Sequence, residues 1–126
     1  MTPPRPKNVP RLPEAAYAFW CADGPSAATV RVAALAGHLA HIERHHDRYL
    51  IAGPMRRDPS PEICGSFFIV TAESETAARD LIAGDPYVSQ GAFASIDCCK
   101  LTPAAGRWMG GVIWESADEL MSYARG

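Results

Sequence analysis

The run from Gly65 to Tyr87, "GSFFIVTAESETAARDLIAGDPY", leaves the backbone few choices. Residues 65–72 are mostly aromatic or β-branched, a composition that suits a pleated strand. Glu73 to Ala83 predicts a helix, with Ser74 as N-cap, Ala77, Ala78, Leu81 and Ile82 turned to a core, and Gly84 as the stop. Asp85-Pro86 then initiates a turn.

The same reading extends along the chain. "EAAYAFWCAD" (14–23) is a short apolar run ended by Gly24-Pro25 and predicts a first strand, with Ser26 free to cap a helix after it. From Ala27 to about Arg48, Val32, Leu35, Leu39, Ile42, His46 and Tyr49 recur at helical spacing and predict one long amphipathic helix. "YLIAGPM" (49–55) predicts a strand, "RRDPSPE" (56–62) a loop, and "AFASIDCCKLT" (92–102) a last strand. The order is β-α-β-β-α-β, the ferredoxin-like split arrangement of an α+β domain with a four-stranded antiparallel sheet. Both helices on one face would leave the other sheet face apolar and open, which favours pairing of two copies sheet to sheet.

Two segments fall outside this core. Residues 1–13 hold five of the eleven prolines and predict an extended, poorly ordered arm. Residues 103–126 predict a C-terminal extension: a strand through Trp108, Met109, Val112, Ile113 and Trp114, then a short helix over 116–125 with Ser116 as cap and Glu119 at the capping-box position. Exposing two tryptophans is costly, so this tail is expected against a partner subunit or over a cleft.

A length of 126 residues suits one domain, here residues 14–102. With 48% hydrophobic and 21% charged residues the composition is that of a globular chain. A net charge of -2 gives no footprint for nucleic acid or an anionic membrane, and neither is expected as a partner. No stretch approaches a spanning helix and the N-terminus has no apolar signal core, so a cytoplasmic location is expected. Cys21, Cys64, Cys98 and Cys99 form no C-x-x-C pair; neighbours Cys98 and Cys99 in a strand would face opposite ways, one inward and one to the surface.

All four histidines lie in "HLAHIERHH" (38–46). On a helical wheel whose apolar centre passes through Leu35, Leu39 and Ile42, His46 faces inward, His41 leans to solvent, and His38 and His45 hold the border with Arg31. His38/His41 and His41/His45 have metal-ligand spacing, but H-E-x-x-H is absent and no metal is expected. A border histidine such as His38 can reach a cleft from a rigid helix and exchange protons there. It needs an orienting carboxylate, for which Asp85 is the best candidate.

The segments "HLAHI", "LIAGPM", "GSFFIVTAES" and "ARDLIAGDPYVSQGAFASIDCCKL", in that order, resemble the YCII-related family over roughly residues 15–101. The resemblance implies a dimeric α/β-barrel type of fold, similar to muconolactone isomerase, with a cleft between helix and sheet. It implies a His/Asp pair, which the motifs carry to His38 and Asp85, with Gly53, Pro54 and Tyr87 shaping the pocket. One family member is a dehydrochlorinase of a chlorinated hydroxyhydroquinone. The expectation is a cofactor-free lyase or isomerase of a small aromatic or cyclic substrate, working as a homodimer or higher homo-oligomer. His38 would be the acid or base, Asp85 its partner, and Arg31 the holder of an anionic group. The alternatives are a non-catalytic dimer that binds a small ligand or another protein, and a monooxygenase that uses O2 directly.

Overall fold

The computed structural model describes residues 3–125. Strand β1 (Ala15–Asp23) leads to helices α1 (Ala27–Ala33) and α2 (Leu35–Arg44) and a 3-10 turn at His46–Arg48. Strands β2 (Tyr49–Arg56) and β3 (Ile63–Ala72), helices α3 (Glu75–Ala83) and α4 (Pro86–Ser89), and strand β4 (Phe93–Leu101) come next. The four strands form one antiparallel sheet in the order β2-β3-β1-β4. This is the ferredoxin-like α+β arrangement that the sequence predicts.

The sheet is built on alternation. Along the central pair, Tyr17, Phe19 and Cys21 stand opposite Val70, Phe68 and Ser66 and are buried on one face. Helix α3 covers them with Ala78, Leu81 and Ile82, and Ser74 caps that helix by accepting from the Ala77 amide. The side chains of Arg31 in α1 and His41 in α2 reach Ser66 and Tyr49 on this same face. Burial pushes the Cys21 thiol up to about 12, with the Asp85 charge adding to the effect. It therefore packs as a small apolar group.

The other face carries Ala18 and Trp20 of β1, Phe67 and Ile69 of β3, and Asp97 and Cys99 of β4. Trp20 is half exposed and meets Phe67 edge to face, with ring centroids 6.4 Å apart. Cys98 packs against the core while Cys99 is exposed, the division that strand alternation predicts. Gly65 is required by close approach: a Cβ there would collide with the Cys21 carbonyl oxygen.

The predicted helix over 27–48 is broken. Ala34, with φ -103° and ψ 7°, separates α1 from α2, and the chain leaves α2 at His45. Its buried side differs from the predicted one: Val32 is 82% exposed, and Leu35 and Leu39 are about half exposed, while Ala27, Val30, Ala34 and His41 are buried. Ile42 and Tyr49 do pack inward as predicted, and Arg31, His38 and His41 share the inward side because each finds a partner from another element.

The described residues of Met1–Pro13 and Thr102–Gly126 form a compact unit of their own, as does Glu14–Leu101. The arm expected to be poorly ordered is paired: the Val9 amide donates to the Val112 carbonyl and the Val112 amide to that of Lys7, both at 2.8 Å. Arg5 donates to the carbonyls of Trp114 and Glu115. The strand expected through 108–114 shrinks to β6 (Gly111–Val112), paired with β5 (Ala105–Gly106), because Arg107–Met109 coil into a 3-10 turn that leaves Trp108 exposed. Helix α5 (Ala117–Arg125) ends the unit; the Ser116 hydroxyl accepts from the Glu119 amide, and the Glu119 carboxylate accepts from the Glu115 amide. No described helix is long and apolar enough to cross a membrane.

Candidate active site

The four residues "GDPY" do most of the placing. Gly84 closes α3, Pro86 occupies the first turn of α4 where a missing N–H costs nothing, and Asp85 is the N-cap between them. One carboxylate oxygen of Asp85 accepts from the Tyr87 amide at 2.9 Å. The same carboxylate faces His38 of α2, whose Nδ1 lies 2.9 and 2.8 Å from its two oxygens. Helix α2 comes this close because residue 37 is glycine: a Cβ on Gly37 would meet the Pro86 ring at 2.9 Å.

Asp85 is fully buried and His38 nearly so, with side-chain exposures of 0% and 16%. An ionised carboxylate can only accept, so the contact assigns the proton to Nδ1 and leaves Nε2 of a neutral imidazole as a lone-pair base. The Tyr87 ring stacks flat on the His38 ring, 3.9 Å between centroids and 6° between planes. Burial pushes the Tyr87 phenol up, against the pull of the nearby Arg31 charge. Its hydroxyl donates to the Arg31 carbonyl at 3.3 Å.

Arg31 forms the next layer. Its guanidinium lies 5.4 Å from the Tyr87 ring centre and 5.6 Å from that of Phe93. One terminal nitrogen is 2.5 Å from Asp23 Oδ1, and both donate to the Ser66 hydroxyl at 3.3–3.4 Å. Nε is buried with no hydrogen-bond partner among the described residues.

The structure thus brings His38, Asp85, Tyr87 and Arg31 into one group. Gly53 and Pro54 lie one strand away on β2: Pro54 pairs with Ser66, while Gly53, expected to shape the same pocket, pairs with Phe67 of the opposite sheet face. Asp23 and Ser66 are functional candidates that the sequence reading missed. Asp23 reads as part of the "DGPS" breaker; the signal for Ser66 is a polar residue at an inward position of an otherwise apolar strand.

Two histidines differ from expectation. His46, expected to face the core, is exposed, because α2 has ended and the chain is in a 3-10 turn. His41, expected to lean to solvent, is buried: its Nε2 shares a 2.9 Å hydrogen bond with the Tyr49 hydroxyl, and its ring fills the space over Gly84. Burial pushes the His41 imidazole down, the nearby Asp85 carboxylate opposes this, and the positive fields of His45, His38 and Arg44 add to it. Among the described residues no group of three His, Cys, Asp or Glu side chains is placed to hold a metal ion.

A four-stranded antiparallel sheet in this order, with its helices on one face, is a fold of the dimeric α/β-barrel type. The YCII-related domain matches residues 15–102, and the chain belongs to that family. Among solved structures, it is similar to 5-chloro-2-hydroxyhydroquinone dehydrochlorinase from Burkholderia phenoliruptrix AC1100, in complex with 2,5-dihydroxybenzoquinone. That likeness has 25% identity and a TM-score of 0.63, over 73% of this chain and 96% of that one. A hypothetical Arabidopsis thaliana protein solved in solution shares 13% identity at a TM-score of 0.41, over 82% of this chain and 95% of that one. No curated protein matches the chain.

The lowered His41 value has a consequence for stability. Its ordinary value is 6.5, so below that pH the unfolded chain takes up a proton that the folded chain resists. Stability is expected to be full above about pH 7 and to fall as pH drops below about 6.5. Urea unfolding at several pH values should show a shallower loss in His41→Gln; an identical slope in both proteins would contradict this assignment.

Proposed function

We propose that this YCII-related chain is a cofactor-free lyase or isomerase, and that His38 and Asp85 move a proton on a small oxygenated aromatic or cyclic substrate. The observation that carries the reading is the contact between His38 Nδ1 and the buried Asp85 carboxylate. A carboxylate so placed fixes the ring, selects the tautomer and balances the imidazolium formed when Nε2 accepts a proton. The dehydrochlorinase that shares the fold acts, by its name, on a chlorinated hydroxyhydroquinone, and a ring of that chemistry supports the substrate class.

In an elimination, a substrate O–H or C–H bond breaks and its proton goes to Nε2. The electron pair left on the ring system expels the leaving group as an anion. In an isomerisation the same proton returns to another carbon. Neither course changes the oxidation level of the whole, so neither needs a redox cofactor. Tyr87 supports the imidazole, and Arg31 flanks the Tyr87 ring on its sheet side.

The open sheet face with Trp20 and Phe67 supports a homodimer paired sheet to sheet. Sedimentation equilibrium that returns only the monomer mass at micromolar concentration would exclude such a dimer. A non-catalytic role in protein binding is the second reading; the exposed Val32, Leu35 and Leu39 of α1 and α2 favour it.

Chlorinated and hydroxylated benzenes are suitable first substrates, with release of chloride or of a proton as the readout. His38→Asn is expected to lower turnover about 10²–10⁴-fold, and Asp85→Asn to lower it as well. A folded His38→Asn protein that turns over at the wild-type rate would refute the proposed base.

A further inference from the structure

We infer that the site around His38 admits a ring ligand that is uncharged when it arrives, and that Asp23 enforces this selectivity. The inference rests on the reading of His38 as the base. Each of the two basic side chains around the Tyr87 ring already has a carboxylate of its own: His38 has Asp85 and Arg31 has Asp23. The Arg31–Asp23 pair is mostly buried, with side-chain exposures of 11% and 15%; both terminal nitrogens donate to the Ser66 hydroxyl, two aromatic rings flank the guanidinium, and its Nε, without a hydrogen-bond partner among the described residues, is itself shut off from solvent. An arginine held in this way is a wall of the site, with its terminal nitrogens already engaged.

The surrounding groups do not alter the balance. From α2, His41 sits behind the turn at Gly84, where burial favours its neutral form. Tyr49 from β2 and Tyr87 from α4 are both pushed up by burial and stay protonated. When His38 is neutral and ready to act as a base, Asp85, Arg31 and Asp23 together carry a net charge of -1. A carboxylate or phosphate on the ligand would add a second negative charge in a partly buried place that salt screens poorly.

A neutral phenol meets no such opposition. Its charge appears only when the O–H bond breaks and the proton forms an N–H bond at His38 Nε2, leaving the electron pair on the ring oxygen beside a new imidazolium. The two charges are created as a pair. The site then stabilises charge that develops in the reaction and disfavours charge that arrives from solution, which is the condition for lowering a barrier rather than trapping a ground state.

Hydroquinone and gentisate (2,5-dihydroxybenzoate) differ by one carboxylate and make a matched pair of probes for calorimetric titration of the full chain at neutral pH. Wild type is expected to bind hydroquinone at least about tenfold more tightly than gentisate. Asp23→Asn, which frees the guanidinium, should raise gentisate affinity about tenfold or more while hydroquinone changes by less than about threefold. The Asp23→Asn/Arg31→Leu double variant, lacking both charges, should gain nothing for gentisate. If Asp23→Asn does not fold, the wild-type ratio decides. Gentisate bound by wild type as tightly as hydroquinone, or a folded Asp23→Asn with no gain for gentisate, overturns the inference alone. A wild-type chain that binds neither ring overturns it together with the ring-substrate reading.

Discussion

The Asp85 carboxylate has no exposure to water, and a charge withdrawn from water must find donors or be neutralised. The local structure on both sides of Asp85 answers that need. Gly84 ends α3 and Pro86 starts α4, so the Tyr87 amide, one of the unpaired donors of a helix start, points back at the carboxylate. The second donor comes from 47 residues away, His38 Nδ1, and Gly37 lets its helix come close enough. Removing the His38 donor would leave this buried charge short of a partner, at a cost of about 3–5 kcal/mol. The same carboxylate therefore fixes where α2 meets α4 and which nitrogen of His38 is free.

The Arg31–Asp23 pair repeats this logic one ring further along. Tyr87 joins the two: its amide serves Asp85, its ring stacks on His38, its hydroxyl donates to the Arg31 carbonyl, and the Arg31 guanidinium lies near its ring. Three elements, α1, α2 and α4, thus meet at a single tyrosine, and β1 joins them through the Asp23 bond to Arg31. Behind them His41 and Tyr49 fill the space beneath the turn at Gly84 with a paired polar contact. A rigid surround of this kind lets a small domain hold an imidazole in one orientation.

The four strands of the main sheet and the Ser74 cap were legible because their signals are local, whereas Ser26, expected to cap the first helix, makes no side-chain cap bond. β3, the Ser74 cap and the Gly84 stop are written in consecutive residues, and α3 buries the apolar side that its spacing predicts. Asp85 stood out as a candidate carboxylate for His38 and the family motifs pointed to the same pair, but nothing in their spacing says that two residues 47 apart meet. The phase of the first helical segment was misread for a physical reason. Its most apolar side, Val32, Leu35 and Leu39, is turned outward, and the side that packs on the sheet holds Arg31, His38 and His41, each satisfied by a partner from another element. A wheel that scores hydrophobicity finds the wrong side whenever the buried side is polar and paired. Asp23 and Ser66 escaped notice likewise, because Arg31 was expected to hold an anionic group of the substrate, whereas the sheet brings it these two partners of its own.

The central claim is that Asp85 holds the proton of neutral His38 on Nδ1 and leaves Nε2 as the lone pair. Nitrogen-15 chemical shifts of the His38 ring, followed through its titration in wild type and in Asp85→Asn, measure this directly. In wild type, the neutral imidazole should show a protonated Nδ1 and a bare Nε2, and Asp85→Asn should weaken that preference. A neutral ring protonated mainly at Nε2, or one whose tautomer is the same in both proteins, would contradict it.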